Sequence, residues 1–340
     1  MDPGKLRVAV VGAGYWGPNL VRNFLACPHA TVPYICDLDR ARAEKLAARF
    51  PGVGVESDFD ALLANPDIDA VAIATPVRTH HPLAKRALLA GKHVLVEKPL
   101  AMTSAEARDL VELAASRDLR LMCDHTFCYT GAVRMIRDLV HAGELGEVLY
   151  FDSVRVNLGL FQSDVNVLWD LAPHDLSILD FILPDDIKPV AVSATGVDAM
   201  QTGFESVAYL TVHYDRPIIG HVHANWLSPV KVRTTLVGGT KKMLVWDDNS
   251  PSEKIKIYDK GVEVDEAQRS ELLVRYRNGA AHIPVVPATE ALLLVATEFA
   301  AAIRERRAPL TPGEAGLLVV QLLEAASISL REGGRRVELA

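Results

Sequence analysis

The sequence is short of cysteine, of positive charge and of long apolar runs. Four cysteines, Cys27, Cys36, Cys123 and Cys128, are spread over 340 residues. So few in so long a chain exclude a disulfide scaffold and suit a reducing compartment, so a cytoplasmic location is expected. Cys123, Asp124, His125 and Cys128 sit close together. No C-x-x-C pair or second ligand cluster accompanies them, and no metal site is expected. The formal net charge is −7. Without a basic face, neither nucleic acid nor an anionic membrane is an expected partner. An anionic small molecule is still allowed, because a pocket can be locally positive. No uncharged apolar run reaches the roughly 18 residues that span a bilayer. The run before Gly12 is too short for the apolar core of a signal peptide. There is no internal repeat and no low-complexity linker.

What remains is ordinary globular composition, 49% hydrophobic and 23% charged. The length predicts two domains. Short apolar runs at Leu6–Val11, Thr31–Cys36, Ala70–Ala74, His93–Val96 and Leu119–Cys123 alternate with helical patterns over Asn19–Ala26, Ala41–Phe50, Pro82–Ala90 and Ser104–Ser116. That alternation predicts βαβ units and a parallel, doubly wound sheet. The character changes near residue 124. A linking helix is predicted over His125–Ala142. Strand-like segments follow at Val148–Asn157, Pro189–Val197, Val207–His213, Ile218–Asn225 and Val232–Val237, and helices at Thr289–Arg307 and Gly313–Arg331. The expected architecture is α/β: a Rossmann domain over 1–124, then an α+β domain over 125–340 with a mainly antiparallel sheet open on one face. An antiparallel sheet with an open face often dimerises, so a homo-oligomer is expected.

Gly12, Gly14 and Gly17, with Tyr15 and Trp16 between them, place G-x-G-x-x-G between the first strand and its helix. The first glycine allows the turn, the second lets a pyrophosphate approach, and the third lets helix and strand pack closely. Free N–H groups at the helix start favour an anion. Asp37 follows Gly17 by 20 residues, at the end of the second strand, where an acid binds a ribose diol. A carboxylate there repels a 2′-phosphate, so NAD is expected over NADP; Arg40 would soften that preference, and a methyltransferase can show a similar glycine turn and acid. The alternative for Asp37 is a helix N-cap.

Val167–Leu183 reads as a helix with Leu176, Leu179, Ile182 and Leu183 on one stripe. Its start carries Asp170, Pro173 and His174. An imidazole can take a proton near neutral pH, and a carboxylate four residues earlier lies on the same side. The alternatives are an N-cap for Asp170, with Pro173 tolerated in the first turn, and a satisfied core histidine for His174. Asp175 and Asp180 read as structural. His125 is open between packing and substrate contact, and His80 reads as loop-shaping.

Thr75-Pro76, His80, the run AGKHVLVEKPLA that contains Glu97 and Lys98, and the D-x-x-x-H at Asp170 and His174 follow in order. With the glycine loop they make the chain resemble the Gfo/Idh/MocA oxidoreductase family over essentially its whole length. The resemblance implies that Lys98 stands at the nicotinamide and the substrate, that Glu97 contacts a cofactor ribose, and that Thr75, Pro76 and His80 line the dinucleotide. It implies that Asp170 and His174 orient and deprotonate the reacting hydroxyl. One departure is Trp169, with the run from Asp164, where many members carry a glycine-rich stretch. It bears on the shape of the sugar pocket. Segments such as GYWGPNLVRNF resemble the nucleotide-sugar branch, which oxidises the C3 hydroxyl of UDP-N-acetylglucosamine or its uronic acid. Arg155, Lys231 and Arg233 lie on predicted strands of the second domain; Arg155 with Asn157 would then meet a diphosphate, and the alternative for each is a solvated strand face. Oxidation of a free polyol such as an inositol, a catalytically silent NAD-binding sensor and a redox-neutral use of NAD are the alternatives.

Overall fold

The structure, a computed structural model, describes residues 4–159, 165–264 and 274–339. They form two compact units, Met1–Tyr129 with Thr289–Gln321, and Thr130–Ala288 with Leu322–Ala340. The segment Thr289–Gln321 therefore groups with the first unit, where the sequence pattern put it in the second domain. Its attachment is local: Thr311 Oγ1 donates to Cys123 O at 2.8 Å and lies 3.0 Å from the Tyr129 hydroxyl. Cys123 N donates back to Thr311 O at 3.0 Å.

The first unit runs β1 (Leu6–Val11), α1 (Gly17–Ala26), β2 (Ala30–Thr31), β3 (Tyr34–Cys36), α2 (Arg40–Ala47), β4 (Gly54–Glu56), α3 (Phe59–Ala64), β5 (Ala70–Ile73), α4 (His80–Leu89), β6 (His93–Glu97), α5 (Ser104–Ser116) and β7 (Leu121–Asp124). The sheet has seven strands in the order β4-β3-β1-β5-β6-β7, with β2 beside β1. All its pairings are parallel. Strand β5 is buried along its length, as a sheet covered on both faces requires. Strand order reverses between β1 and β5, so the carboxyl ends of these strands form the ligand-binding edge of such a sheet. The predicted run Thr31–Cys36 is two strands, because Val32-Pro33 interrupts it.

The second unit starts with α6 (Gly131–His141), capped by Thr130 Oγ1 accepting from Val133 N. A short 3-10 turn at Thr126–Tyr129 precedes it, so the single helix predicted from His125 is split. Then follow β8 (Val148–Leu158), α7 (Val167–Ile182), β9 (Pro189–Val197), β10 (Val207–Tyr214), β11 (Ile219–Asn225), β12 (Leu227–Gly239), β13 (Met243–Asp247), β14 (Ile255–Val264) and β15 (Val274–His282). Helices α8 (Ala291–Arg304) and α9 (Gly313–Arg331) and strand β16 (Val337–Glu338) complete the chain. The sheet has nine strands in the order β15-β14-β13-β12-β8-β11-β10-β9-β16. It is mainly antiparallel, with one parallel pair, β8 and β11. Helix α7 packs on β8, β10 and β11, and α6 packs on α7. Tyr209 of β10 is 43% exposed and stacks on His223, their ring centroids 4.4 Å apart.

Among the described residues α9 alone is long and apolar enough to cross a membrane, with a mean hydropathy of 1.4. Half of that apolar window is buried inside the protein, as in the core helix of a globular fold.

Candidate active site

The glycine loop in the first unit meets the three demands placed on it. Gly12 has φ 103°, and a Cβ there would stand 2.7 Å from Ala74 O. Gly17 opens α1 so close to β1 that a Cβ would stand 2.1 Å from Gly12 O. Gly14 faces open space within 4 Å, which is the room a pyrophosphate needs. Tyr15 is 82% exposed and meets Trp16 edge to face.

Asp37 does not cap a helix. The N-cap of α2 is Asp39, whose side chain accepts from Arg42 N. Asp37 Oδ2 accepts from Ala13 N at 2.7 Å, and Oδ1 accepts from Asp39 N at 2.9 Å. The acid thus holds the glycine loop, and each oxygen keeps a further lone pair. Arg40 is turned to Glu44, Nε to carboxylate 2.9 Å.

Past β5, Thr75 Oγ1 accepts from Thr79 Oγ1 at 2.7 Å. His80 is buried, with Nδ1 2.8 Å from Pro99 O and Nε2 2.8 Å from Thr75 O. It ties the Thr75-Pro76 loop to the segment that carries Lys98. The Lys98–Pro99 peptide bond is cis. Glu97 ends β6, buried, and its Oε2 accepts from Lys98 N at 3.3 Å. Beside it, at the end of β7, lie Asp124 and His125, each 1% exposed. Burial and the Lys98 charge push the His125 imidazole down to about 3, so it is neutral. Neither of its ring nitrogens has a hydrogen-bond partner among the described residues.

Among the described residues no group of three His, Cys, Asp or Glu side chains is gathered closely enough to hold a metal ion. All four cysteines are free and buried. Burial pushes the Cys36 thiol up to about 12 and the Cys123 thiol well above its ordinary range, so both stay protonated.

In the second unit, α7 carries Asp170 and His174, both half-buried, four positions apart on one side of the helix. The N-cap is Asn166, whose Oδ1 accepts from Trp169 N at 3.2 Å. Asp170 is therefore inside the helix, and the capping alternative does not hold. Its Oδ2 accepts from Trp226 Nε1 at 3.0 Å. Pro173 is the seventh helical residue and not part of the first turn. Its ring removes the N–H that would reach the Trp169 carbonyl, a cost the helix carries internally. Trp169 Nε1 donates to Ser327 Oγ at 2.9 Å. Asp164, the start of the departure from the family pattern, lies outside the described residues.

Arg155 requires a correction. It is 4% exposed, and its Nε and Nη2 meet Asp175 at 2.7 and 3.1 Å. Ser153 Oγ adds a bond to Asp175 at 2.8 Å. A guanidinium paired this way inside the core is a structural element and not a diphosphate clamp. Asn157 is half-buried on the same strand, its side chain against Gly159. Lys231 is exposed, and Arg233 pairs with Asp248 at 3.4 Å.

Sequence reasoning used Asp124 only as a failed metal ligand and gave Trp226 and Asn166 no role. Asp124 had one signal, an acid at the tip of a strand adjacent to the one that ends in Glu97.

Comparison with known proteins bears on this arrangement. Residues 6–125 match the family described as "Oxidoreductase family, NAD-binding Rossmann fold", and residues 133–245 match its C-terminal domain. A dTDP-3,4-didehydro-2,6-dideoxy-alpha-D-glucose 3-reductase of Streptomyces violaceoruber is 33% identical over 195 residues, 54% of this chain and 56% of that protein. The chain spans between 31% and 60% of the length of eight curated relatives that it matches. UDP-N-acetylglucosamine 3-dehydrogenase GnnA from Acidithiobacillus ferrooxidans superposes with a TM-score of 0.80 at 25% identity, covering 96% of this chain and 98% of that one. GenD2 from gentamicin A biosynthesis, solved with NAD, superposes with a TM-score of 0.83 at 25% identity, covering 100% and 98%.

Proposed function

The chain belongs to the Gfo/Idh/MocA family of oxidoreductases, and from that premise we propose that it uses NAD to oxidise a sugar hydroxyl, at C3 of a UDP-N-acetyl-hexosamine. The observation that carries the reading is the cap of α7. Because Asn166 serves the helix end, the Asp170 carboxylate has no capping duty, and it stands on the same side of α7 as His174. The substrate class is supported by relatives named for work at C3 of nucleotide-linked sugars.

The residues of the first unit fit NAD. The open space at Gly14 is where a Cβ would crowd a pyrophosphate, and Asp37 holds the loop while keeping lone pairs for ribose hydroxyls. NAD bound there would supply the acceptor for the hydride of the carbinol carbon. This chain's residues handle the proton and the charge. His174 as a neutral imidazole takes the hydroxyl proton. Asp170, steadied by the Trp226 indole, orients it or holds a second hydroxyl. The Lys98 ammonium stabilises the alkoxide that develops as the proton leaves. The cytoplasm, where NAD and nucleotide sugars are available, is the expected setting, and the chain is expected to act as a homodimer or homotetramer.

The test is a direct assay. Purified protein with NAD is given UDP-N-acetylglucosamine, its uronate or myo-inositol, and NADH absorbance is followed. NADH is expected with a UDP-sugar. Turnover with inositol alone overturns the nucleotide-sugar reading. Consumption of sugar without net NADH points instead to redox-neutral chemistry.

A further inference from the structure

Strands β6 and β7 bring two acids side by side. Glu97 and Asp124 are register partners in this parallel pair. They are 7% and 1% exposed. Two ionised carboxylates buried together repel strongly, whereas one proton between them turns the repulsion into a charge-assisted hydrogen bond.

The surrounding bonds say which acid carries it. Asp124 Oδ1 accepts from Thr126 Oγ1 at 2.7 Å. Asp124 Oδ2 is buried and has no N–H or alcohol donor among the described residues. The donor it lacks is then a carboxylic O–H. Glu97 Oε2 already accepts from Lys98 N, which leaves Oε1 to hold the proton.

We propose that Glu97 and Asp124 hold one proton between them, Glu97 as the O–H donor and Asp124 as the carboxylate, and that Asp124 is a positioning residue whose charge holds the Lys98 ammonium for the reaction. The last clause rests on the function proposed above; the shared proton stands without it. Burial, reinforced by Asp124, drives the Glu97 carboxyl well above its ordinary range. Burial drives Asp124 up to about 6, against the pull of Thr126, Glu97 and Lys98. The other titratable groups around the pair are Cys123, His125, Cys128 and Tyr129. Burial keeps the Cys123 thiol, the His125 ring and the Tyr129 hydroxyl neutral. Lys98 is the cation these acids face among the described residues. One ammonium against one carboxylate leaves the site close to neutral.

Infrared difference spectroscopy of the full chain near neutral pH tests this in the wild type, Glu97→Gln and Asp124→Asn. The wild type is expected to show the C=O stretch of a buried protonated carboxylic acid, and both variants to lose it. Asp180, pushed up to about 6 by burial, contributes equally to all three spectra and cancels. No difference between wild type and Glu97→Gln overturns the proposal. Survival of the band in Asp124→Asn also overturns it, since the proton then owes nothing to Asp124. If Asp124→Asn does not fold, Glu97→Gln decides the question of the proton alone. For the positioning role, the acidic limb of the kcat/KM profile is expected to move to lower pH in Asp124→Asn, because Glu97 then ionises as the sole partner of Lys98. An unmoved limb removes that role. If the wild type turns over no sugar, the proposed function fails while the infrared result stands.

Discussion

The His80 imidazole bridges two backbone carbonyls, Pro99 O at 2.8 Å and Thr75 O at 2.8 Å. Pro99 follows Lys98, and Thr75 opens the loop after β5. One side chain thus sets the spacing of two segments that reach the carboxyl edge of the sheet. A neutral ring donates to one carbonyl and cannot donate to both. Burial, with the Lys98 charge adding, disfavours a second proton.

His80→Ala removes the one N–H that the neutral ring donates to these carbonyls and opens a cavity. The expected cost is about 2 kcal/mol of stability, as for a buried polar group deprived of its bond. NAD affinity is expected to fall about 10-fold, equivalent to roughly 1.4 kcal/mol. Thermal unfolding and a fluorescence titration with NAD measure the two effects separately. Lower stability with unchanged NAD affinity would make the bridge structural only.

Asn166 and Asp170 should separate cleanly. Asn166→Ala removes the cap of α7 and also a bond to Glu205 Oε2 at 2.9 Å. It is expected to destabilise by about 1 kcal/mol. Asp170→Asn keeps the shape and an oxygen for the Trp226 indole, so the melting temperature should barely change. If the proposed proton transfer holds, kcat drops by about 10²-fold or more. A stable, fully active Asp170→Asn enzyme would remove the carboxylate from the mechanism.

These two residues also mark where the sequence was readable and where it was not. Asn and Asp both cap helices, and here they stand four positions apart. The apolar stripe of α7 was plain, but its first turn was misplaced, and Pro173 with it. Helix α5 came out at Ser104–Ser116 as expected, because Thr103 accepts from Glu106 N and Glu106 accepts from Met102 N, a local signal at both ends of one turn. Strands β13, β14 and β15 were not anticipated, although Gly238-Gly239 announced a turn before them. The glycine loop was legible because its geometry is written in adjacent residues. The Arg155–Asp175 pair and the Glu97–Asp124 pairing were not: the packing of α7 on β8 joins residues 20 positions apart, and the register of β6 with β7 joins residues 27 positions apart.

Arg155 offers a sharp contrast between a structural and a binding role. Removing one partner of a buried ion pair leaves the other charge uncompensated, at about 3–5 kcal/mol. Arg155→Ala is therefore expected to lower the urea midpoint markedly or to prevent folding. Arg155→Met with Asp175→Leu should recover much of the loss by filling the space with apolar groups. A folded Arg155→Ala protein whose main defect is a raised KM for a UDP-sugar would restore the diphosphate role.

Asp37 predicts cofactor choice. Its carboxylate opposes a 2′-phosphate, and Arg40 is engaged with Glu44 on the surface. NADH is expected to bind about 10-fold or more tightly than NADPH. Asp37→Ser should narrow or reverse that ratio while weakening NADH, since the bond from Ala13 N is also altered. Paired titrations with both reduced cofactors read the ratio directly, and a wild-type preference for NADPH would refute the assignment of Asp37.

His125 gives the pH dependence a definite sign. Its folded imidazole is pushed down to about 3, against an ordinary 6.5 when unfolded. Between those values the unfolded chain binds a proton that the folded chain refuses. Stability is thus full above about pH 6.5 and is lost as pH falls toward 3, at up to about 1.4 kcal/mol per pH unit. Asp124 acts in the opposite direction: its raised carboxyl contributes most below its unfolded value of 3.8 and loses that contribution as pH rises through about 6. The wild-type curve sums both, so the informative quantity is the difference from His125→Phe. That variant fills the space without the two ring nitrogens, which find no hydrogen-bond partner among the described residues. Urea unfolding between pH 4 and 7 should show a shallower acid loss for His125→Phe, by close to one proton. Equal slopes for the two proteins would mean that the buried ring already carries its charge.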